Sequence, residues 1–237
     1  MIWGRRALIV SAALAGVTAT LLGGVLLIAR RDTSSAAPTD LENLGRYGEV
    51  PPFALTERSS RRVTRDDLRG FVWALDFLYT ECTETCPTQS LAFAQLQREF
   101  AAEPSFRLVS ITVDPAHDTP AVLRSYAERY GATERWWFLT GDKRAIYCLA
   151  RAGFRLGVTD PRSTDPADCG TTSWLSPGAA WASHGSQGLV MHSARIVLVD
   201  RHGRIRAYHL ATDPDSLARL RANVRRLLRA HTEEEGG

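Results

Sequence analysis

Residues 71–87 have the sequence FVWALDFLYTECTETCP, and this stretch indicates the central elements of the fold. Residues 71–79 form a nearly continuous apolar run of strand length, rich in aromatic side chains, which is typical of a central strand buried on both faces. Asp76 interrupts the run, and a buried carboxylate there needs a partner. Pro87 fits a first helical position, where a backbone N–H is not required. The stretch therefore predicts a buried strand that leads through a short turn into a helix.

The sequence on either side alternates between strand and helix patterns. Residues 53–55 and 63 predict a small hairpin upstream, and downstream the pairs Thr119-Pro120 and Asp213-Pro214 are signals for the start of a helix. The predicted downstream elements are helix 88–101, strand 106–113, helix 120–130, strand 136–139, helix 143–152, strands 189–199 and 204–209, and a last helix from residue 214. This alternation predicts an α/β fold with a mixed central sheet and helices on both faces.

Composition and charge limit the class of protein. The chain has 237 residues, 44% of them hydrophobic and 23% charged, which fits a globular protein, and its net charge of +3 is too small to suggest a nucleic-acid partner. Residues 7–29 carry no charge, and this run is long enough to cross a bilayer core, which takes roughly 20 residues. We predict a membrane anchor at 1–31, a flexible tether at 32–50, one domain at 51–230 and a frayed tail at 231–237.

The four cysteines are too few for a disulfide scaffold, so their positions decide their role. Cys82 and Cys86 lie between the buried strand and the helix, where α/β sheets place their sites and where a helix N-terminus lowers the pKa of a thiol. Their spacing puts both sulfurs on one side of a helical turn, so they can bind one metal ion or form a disulfide. Two thiolates favour Cu(I) or Zn²⁺, whereas the plainer alternative is a structural disulfide or two buried thiols.

Two sulfurs rarely complete a metal site, so a third ligand is expected. His192 is the leading candidate, because it precedes a strand predicted to lie beside the first strand and can reach the cysteine end of the sheet. His117 and His184 are weaker candidates. His202 and His209 are predicted to be solvated, and His231 lies in the tail.

At this point the sequence resembles the Sco/SenC copper chaperones, a family with a thioredoxin-like fold. The resemblance covers roughly residues 50–228 and depends on several motifs taken together. These are the CxxxCP pattern of residues 82–87 after DFLYT, TVDP at 112–115 with DTP at 118–120, and MHS at 191–193 before VLVDRHG at 197–203.

The resemblance implies that Cys82, Cys86 and His192 bind copper and that Asp114 lies beside them as an outer partner. Family members help deliver copper to the dinuclear copper centre of cytochrome c oxidase. The expected partners are the copper-centre subunit of the oxidase, other copper chaperones or thioredoxin-like reductants, and the membrane through residues 7–29. The soluble domain is expected on the periplasmic or extracytoplasmic side of the inner membrane.

The chain departs from the family pattern in two places that bear on the site. Met191 stands where an Asp is familiar, and it is predicted to be a core residue. The segment 159–188 looks like a loop insertion, and Cys169 lies within it. In an oxidising compartment we predict a disulfide between Cys148 and Cys169 that pins the insertion, the alternative being two unrelated thiols.

Three other functions remain open at this stage. A thiol–disulfide oxidoreductase would use Cys82 and Cys86 but not His192, and a peroxidase of the same fold would use one thiolate. A membrane-tethered copper or redox sensor has the same ligands as a chaperone. The favoured role is a metallochaperone rather than an enzyme.

Overall fold

The computed structural model describes residues 40–159, 169, 191–192 and 194–234. Its strands are β1 (Gly48–Glu49), β2 (Ala54–Glu57), β3 (Arg62–Thr64), β4 (Val72–Leu78), β5 (Phe106–Thr112), β6 (Trp136–Thr140), β7 (Val158–Thr159), β8 (Met191–His192), β9 (Arg195–Val199) and β10 (Arg204–Leu210). The α-helices are α1 (Thr85–Glu99), α2 (Pro120–Arg129), α3 (Lys143–Cys148) and α4 (Pro214–Glu234). Short 3-10 helices lie at Asp40–Glu42 and Arg65–Leu68, and a π-helix lies at Leu149–Gly153.

Strand β4 lies in the middle of the main sheet, as the apolar run 71–79 predicts. The strand order is β1-β10-β9-β4-β5-β6-β2-β3, with β4 parallel to β5 and antiparallel to β9. All seven residues of β4 are buried. A strand covered on both faces has no polar side to present to water, which explains why its apolar residues do not alternate with polar ones.

Helices cover both faces of this sheet, so the predicted mixed α/β architecture is confirmed. Phe93 of α1 packs on Trp136 of β6, and Phe77 of β4 packs on Phe154, which follows the π-helix. The strand registers place Phe77 level with Leu139, three residues from Trp136. Because side chains alternate along a strand, α1 and the π-helix lie on opposite faces.

Most predicted boundaries agree with the structure, and the exceptions have local causes. Helix α1 begins at Thr85, two residues before Pro87, because any position in the first turn tolerates the missing N–H of proline. The predicted helix 143–152 changes to a π-helix after Cys148. At its end, a Cβ on Gly153 would lie 2.8 Å from Cγ of Pro51, so only glycine permits this approach. The predicted strand 189–199 is divided into β8 and β9.

The predicted flexible tether is wrong for residues 40–50, which are packed against the domain. Strand β1 pairs with β10, and the backbone N–H groups of Gly45 and Tyr47 donate to β10 carbonyls. Glu42 is 3% exposed and accepts hydrogen bonds from Ser216 and Arg219 of α4. The partners of this segment lie far away in the sequence, so its polar composition gave no sign of docking.

Other predictions concern residues at the edge of the description or outside it. Helix α4 continues to Glu234, so the tail 231–237 is helical where it is described. By contacts the chain divides into Met1–Ala37 and Pro38–Gly237. The predicted anchor 7–29 lies outside the described residues, as does the insertion 159–188 apart from Thr159 and Cys169. Within the described ranges, no helix is long and apolar enough to cross a membrane.

His209 was predicted to be solvated, and this is wrong, because its side chain is fully buried between β10 and α4. The side-chain N–H of Asn223 donates to Nε2 of His209, and the same amide nitrogen donates to the carbonyl of Glu42. Burial lowers the pKa of His209 to about 4. The other histidine of this hairpin, His202, is exposed as predicted.

The burial of His209 predicts a pH-dependent loss of stability. An unfolded histidine has a pKa near 6.5, so between that pH and about 4 the unfolded chain binds a proton that the folded chain excludes. The free energy of unfolding should therefore fall as the pH drops through this window, by up to about 3 kcal/mol. Urea denaturation of the full chain in nonionic detergent at a series of pH values measures this fall.

His209→Gln should flatten the pH dependence between pH 6.5 and 4, because glutamine does not titrate and keeps an acceptor for Asn223. The matched control is His202→Gln, at an exposed position of the same hairpin. An unchanged slope in His209→Gln would contradict the prediction.

Candidate metal centre

The candidate site lies at the edge of the sheet where the parallel strands β4 and β5 end. Residues 79–84 leave β4 and lead directly into α1, while residues 113–119 leave β5 and lead into α2. Sites in α/β sheets form at the carboxyl ends of strands, because the loops there converge with helix N-termini. The turn that carries the cysteine pair is therefore at the position that the sequence predicts.

Cys82 lies in the turn between β4 and α1, Cys86 lies in the first turn of α1, and neither is part of a disulfide. The backbone N–H of Cys86 points at Sγ of Cys82, with N and Sγ 3.5 Å apart. The N–H of Cys82 in turn donates to the carbonyl of Tyr79, which closes the turn at the end of β4. Cys82 is half-buried whereas Cys86 is fully buried.

The electrostatics of Cys86 differ from the sequence expectation. Burial raises the pKa of its thiol, and the neighbouring Cys82 and Asp76 raise it further, while a hydrogen bond from the backbone of Tyr79 opposes them. The expected lowering of the pKa is therefore wrong for Cys86, because its removal from water disfavours the charged thiolate. A bound cation would supply the positive charge that a buried thiolate lacks.

A buried carboxylate that is not among the predicted site residues lies beside this turn. Asp118 is fully buried between the ends of β4 and β5. It accepts hydrogen bonds from the N–H of Thr80 at 3.1 Å, the hydroxyl of Thr80 at 2.5 Å and the hydroxyl of Thr112 at 2.5 Å. The sequence signal for Asp118 is its position in the DTP motif at residues 118–120.

His117, a weaker ligand candidate, belongs to the same network. Its Nδ1 lies 2.9 Å from Oδ1 of Asp118, and its Nε2 lies 3.4 Å from a carboxylate oxygen of Glu81. The hydrogen bond with Asp118 raises the pKa of His117, with partial burial opposing and the charge of Glu81 adding to the rise. Both ring nitrogens of His117 are thus turned toward carboxylates.

Asp114 and His192 are the other predicted members of the site. Asp114 follows β5 at the same sheet edge, and its carbonyl accepts hydrogen bonds from the N–H groups of His117 and Asp118. His192 lies on β8, where it pairs with Val158 of β7. Among the side chains that the structure describes, no group of three or more His, Cys, Asp or Glu could hold a metal ion, and the side chain of His192 is outside that set. His192 as third ligand stays a prediction.

The second cysteine pair is separate from this site. Cys148 at the end of α3 and Cys169 are joined by a disulfide in the structure, with their Cα atoms 5.3 Å apart and a sequence separation of 21. Two of the four cysteines therefore form a disulfide, and only Cys82 and Cys86 keep thiol groups that can bind a metal ion.

Comparison with known sequences places the chain in a family. The sequence model of the SCO1/SenC family matches residues 42–229, which include the cysteine turn, the β5–α2 loop and β8. The chain belongs to the SCO1/SenC family. A SCO1 protein homologue of Bacillus subtilis is 33% identical over 120 residues, an alignment that covers 49% of this chain and 62% of that protein. The chain thus matches less than two thirds of this relative.

Solved structures of Sco proteins share the fold. BsSco matches with a TM-score of 0.61 and 24% identity over 81% of this chain and 99% of that chain. It is described as a member of the Sco family of cytochrome c oxidase assembly proteins and as having a disulfide switch. Bradyrhizobium japonicum ScoI with copper bound matches with a TM-score of 0.57 and 24% identity over 76% of this chain and 99% of that chain.

Proposed function

We propose that this SCO1/SenC protein is a membrane-anchored copper chaperone that helps assemble the dinuclear copper centre of cytochrome c oxidase. The observation that carries the proposal is the approach of two cysteines that are not in a disulfide, with the N–H of Cys86 directed at the sulfur of Cys82. Copper is the cargo of the protein, held by Cys82, Cys86 and His192. The copper-bound ScoI structure and the assembly role described for BsSco support the same cargo and pathway.

The chemistry of the donors suits copper. Thiolate sulfur is a soft ligand that selects Cu(I), and imidazole also binds copper well. The half-buried Cys82 gives an incoming ion access, while the buried Cys86 holds it away from water. A site with one accessible ligand suits transfer to a partner protein better than a closed structural site does.

The topology supports His192 as the third ligand. Strand β9 runs antiparallel to β4, with Leu75 opposite Val197, so the residues before β9 lie toward the end of β4 that leads into the cysteine turn. His192 precedes Arg195, the first residue of β9, by three positions.

Thiol redox state would control copper loading. Joining the two sulfurs of Cys82 and Cys86 in a disulfide transfers two electrons and two protons to an external disulfide, which is reduced to two thiols, and it leaves no thiolate for the metal. An accessible Cys82 above a buried Cys86 also suits a thiol–disulfide oxidoreductase, in which one thiol attacks and the other resolves. This reductase is the second candidate function, and it is distinguished from the chaperone by the role of His192.

Membrane attachment is part of the proposal and depends on the uncharged run 7–29, which has the length of a bilayer-spanning helix. The proposed location is the periplasmic or extracytoplasmic face of the inner membrane. The proposed partners are the copper-centre subunit of the oxidase, other copper chaperones and thioredoxin-like reductants.

The His192→Ala variant tests the chaperone proposal. Loss of a direct ligand should cost more than loss of an outer partner, so the affinity for Cu(I) should fall about a hundredfold or more. The affinity is measured anaerobically by competition with a chromophoric Cu(I) chelator. His202→Ala, at an exposed histidine, is the control and should bind as wild type does. Wild-type affinity in His192→Ala together with intact disulfide reduction would favour the oxidoreductase.

A further inference from the structure

The fully buried carboxylate of Asp118 ties the ends of both β4 and β5 to the entrance of the cysteine turn. One oxygen, Oδ2, accepts from the N–H of Thr80 and the hydroxyl of Thr112. The other, Oδ1, accepts from the hydroxyl of Thr80 and lies 2.9 Å from Nδ1 of His117. Thr80 follows β4 and Thr112 ends β5, so a single side chain spans both strands.

Burying a carboxylate costs free energy unless its hydrogen-bond donors are held in fixed positions around it. An ionised carboxylate away from water is tolerated only when hydrogen bonds replace its hydration. Here every oxygen of Asp118 has two partners, so moving Thr80 would leave part of the carboxylate without a donor in a buried place.

The group that is held is the chain segment that leads to the copper ligands. The N–H of Thr80 belongs to the peptide two residues before Cys82, and the next residue, Glu81, contacts His117. The segment 80–82 is thus attached on two sides, through Thr80 to Asp118 and through Glu81 to His117. Cys82 follows Thr80 by two residues, and the N–H of Cys86 in the first turn of α1 points at its sulfur.

We propose that Asp118 is a positioning residue of the copper site, which fixes the Cys82 sulfur at the distance from Cys86 that copper needs by holding Thr80. This inference rests on the proposed copper function. Asp118 touches neither cysteine, and it acts through the backbone of residues 80–82. Its role is that of an outer partner which orients a ligand, and losing such partners typically lowers metal affinity 10- to 100-fold.

The test compares two buried carboxylates in the full chain in nonionic detergent. Asp118→Asn keeps the size of the side chain but replaces one acceptor oxygen with a donor. The matched control is Asp200→Asn, because Asp200 is 4% exposed, accepts from Arg204 and Arg206, and lies in the β9–β10 turn. That turn is at the opposite end of the sheet, where the carbonyl of Arg201 accepts from Gly70 before β4.

Two measurements are made on each variant: the Cu(I) affinity by chelator competition, and the alkylation rate of Cys86 by iodoacetamide in the copper-free reduced protein. Asp118→Asn should lose about 10- to 100-fold in Cu(I) affinity and should alkylate faster at Cys86. Asp200→Asn should stay within about twofold of wild type in both, whatever it loses in stability. Equal effects of the two variants on both measurements would overturn the proposal.

The alkylation rate separates this inference from the proposed function, because it needs no copper. If the wild-type chain binds no Cu(I), the chaperone proposal fails, and the alkylation rates still decide whether Asp118 holds the turn. If Asp118→Asn does not fold, Thr80→Val decides instead, since it removes only the hydroxyl donor and keeps the Thr80 N–H. A Thr80→Val protein with wild-type affinity and wild-type alkylation would overturn the inference.

Discussion

Replacing Cys86 with serine is expected to reduce Cu(I) affinity by about a thousandfold or more, which corresponds to roughly 4 kcal/mol. A serine hydroxyl is a hard donor and stays protonated at neutral pH, so it cannot take the place of a thiolate on a soft ion. Because Cys86 is fully buried in the first turn of α1, no water-exposed group can move into its position without disturbing the helix. Anaerobic chelator competition measures the loss.

The chain offers its own control in the other cysteine pair. The double variant Cys148→Ser, Cys169→Ser removes two sulfur atoms where Cys86→Ser removes one, and it removes them from the disulfide and not from the cysteine turn. It should keep a copper stoichiometry of one per chain with wild-type affinity, and its stability should fall by about 3 kcal/mol if the closed loop acts by restricting the unfolded chain. Strong Cu(I) binding by Cys86→Ser would refute the proposed ligand set.

Glu42→Ala is expected to lower the free energy of unfolding by about 3 kcal/mol, because it removes one partner of a buried ion pair. Glu42 lies 2.5 Å from Nε of Arg219 and accepts a second hydrogen bond from the hydroxyl of Ser216. Removing its carboxylate leaves the guanidinium of Arg219, which is three-quarters buried, with only the more distant Asp213 in the pairs that the structure describes. Denaturant unfolding of the full chain in detergent measures the change.

Glu49→Ala is the matched control for this segment, since Glu49 belongs to the same docked stretch but is exposed on β1. Its effect should stay within about 0.5 kcal/mol, as for most surface substitutions. A Glu42→Ala chain that unfolds at the same denaturant concentration as Glu49→Ala would mean that the buried pair does not hold residues 40–50 in place.

The parts of the fold that local sequence determines could be predicted from the sequence. The apolar run of β4 and the signals at Thr119 and Gly131 depend on the residues themselves, and each lies where the pattern places it. The closeness of Cys82 and Cys86 is also local, although Cys82 lies before the helix and not on it: the short turn after β4 leads directly into α1 and directs the N–H of Cys86 at the sulfur of Cys82.

The parts that long-range contacts determine could not be predicted in the same way. The burial of His209 could not be predicted, because it depends on Asn223 in a helix that packs over it. The role of Asp118 could not be predicted for a similar reason, because its partner Thr80 lies 38 residues earlier in the chain. In both cases the sequence shows a polar residue near a turn, and only the packing shows that the residue is enclosed.

The docking of Glu42 on α4 also bears on how the domain is completed during synthesis. Glu42 and Ser216 are 174 positions apart, and Glu42 and the side chain of Asn223 are 181 positions apart, so these contacts join the first described segment to the last helix. A nascent chain that has not yet released α4 from the ribosome has no partner for the Glu42 carboxylate. Strand β1 can pair with β10 before that point, whereas the Glu42 carboxylate stays in water until the last helix emerges and completes the domain.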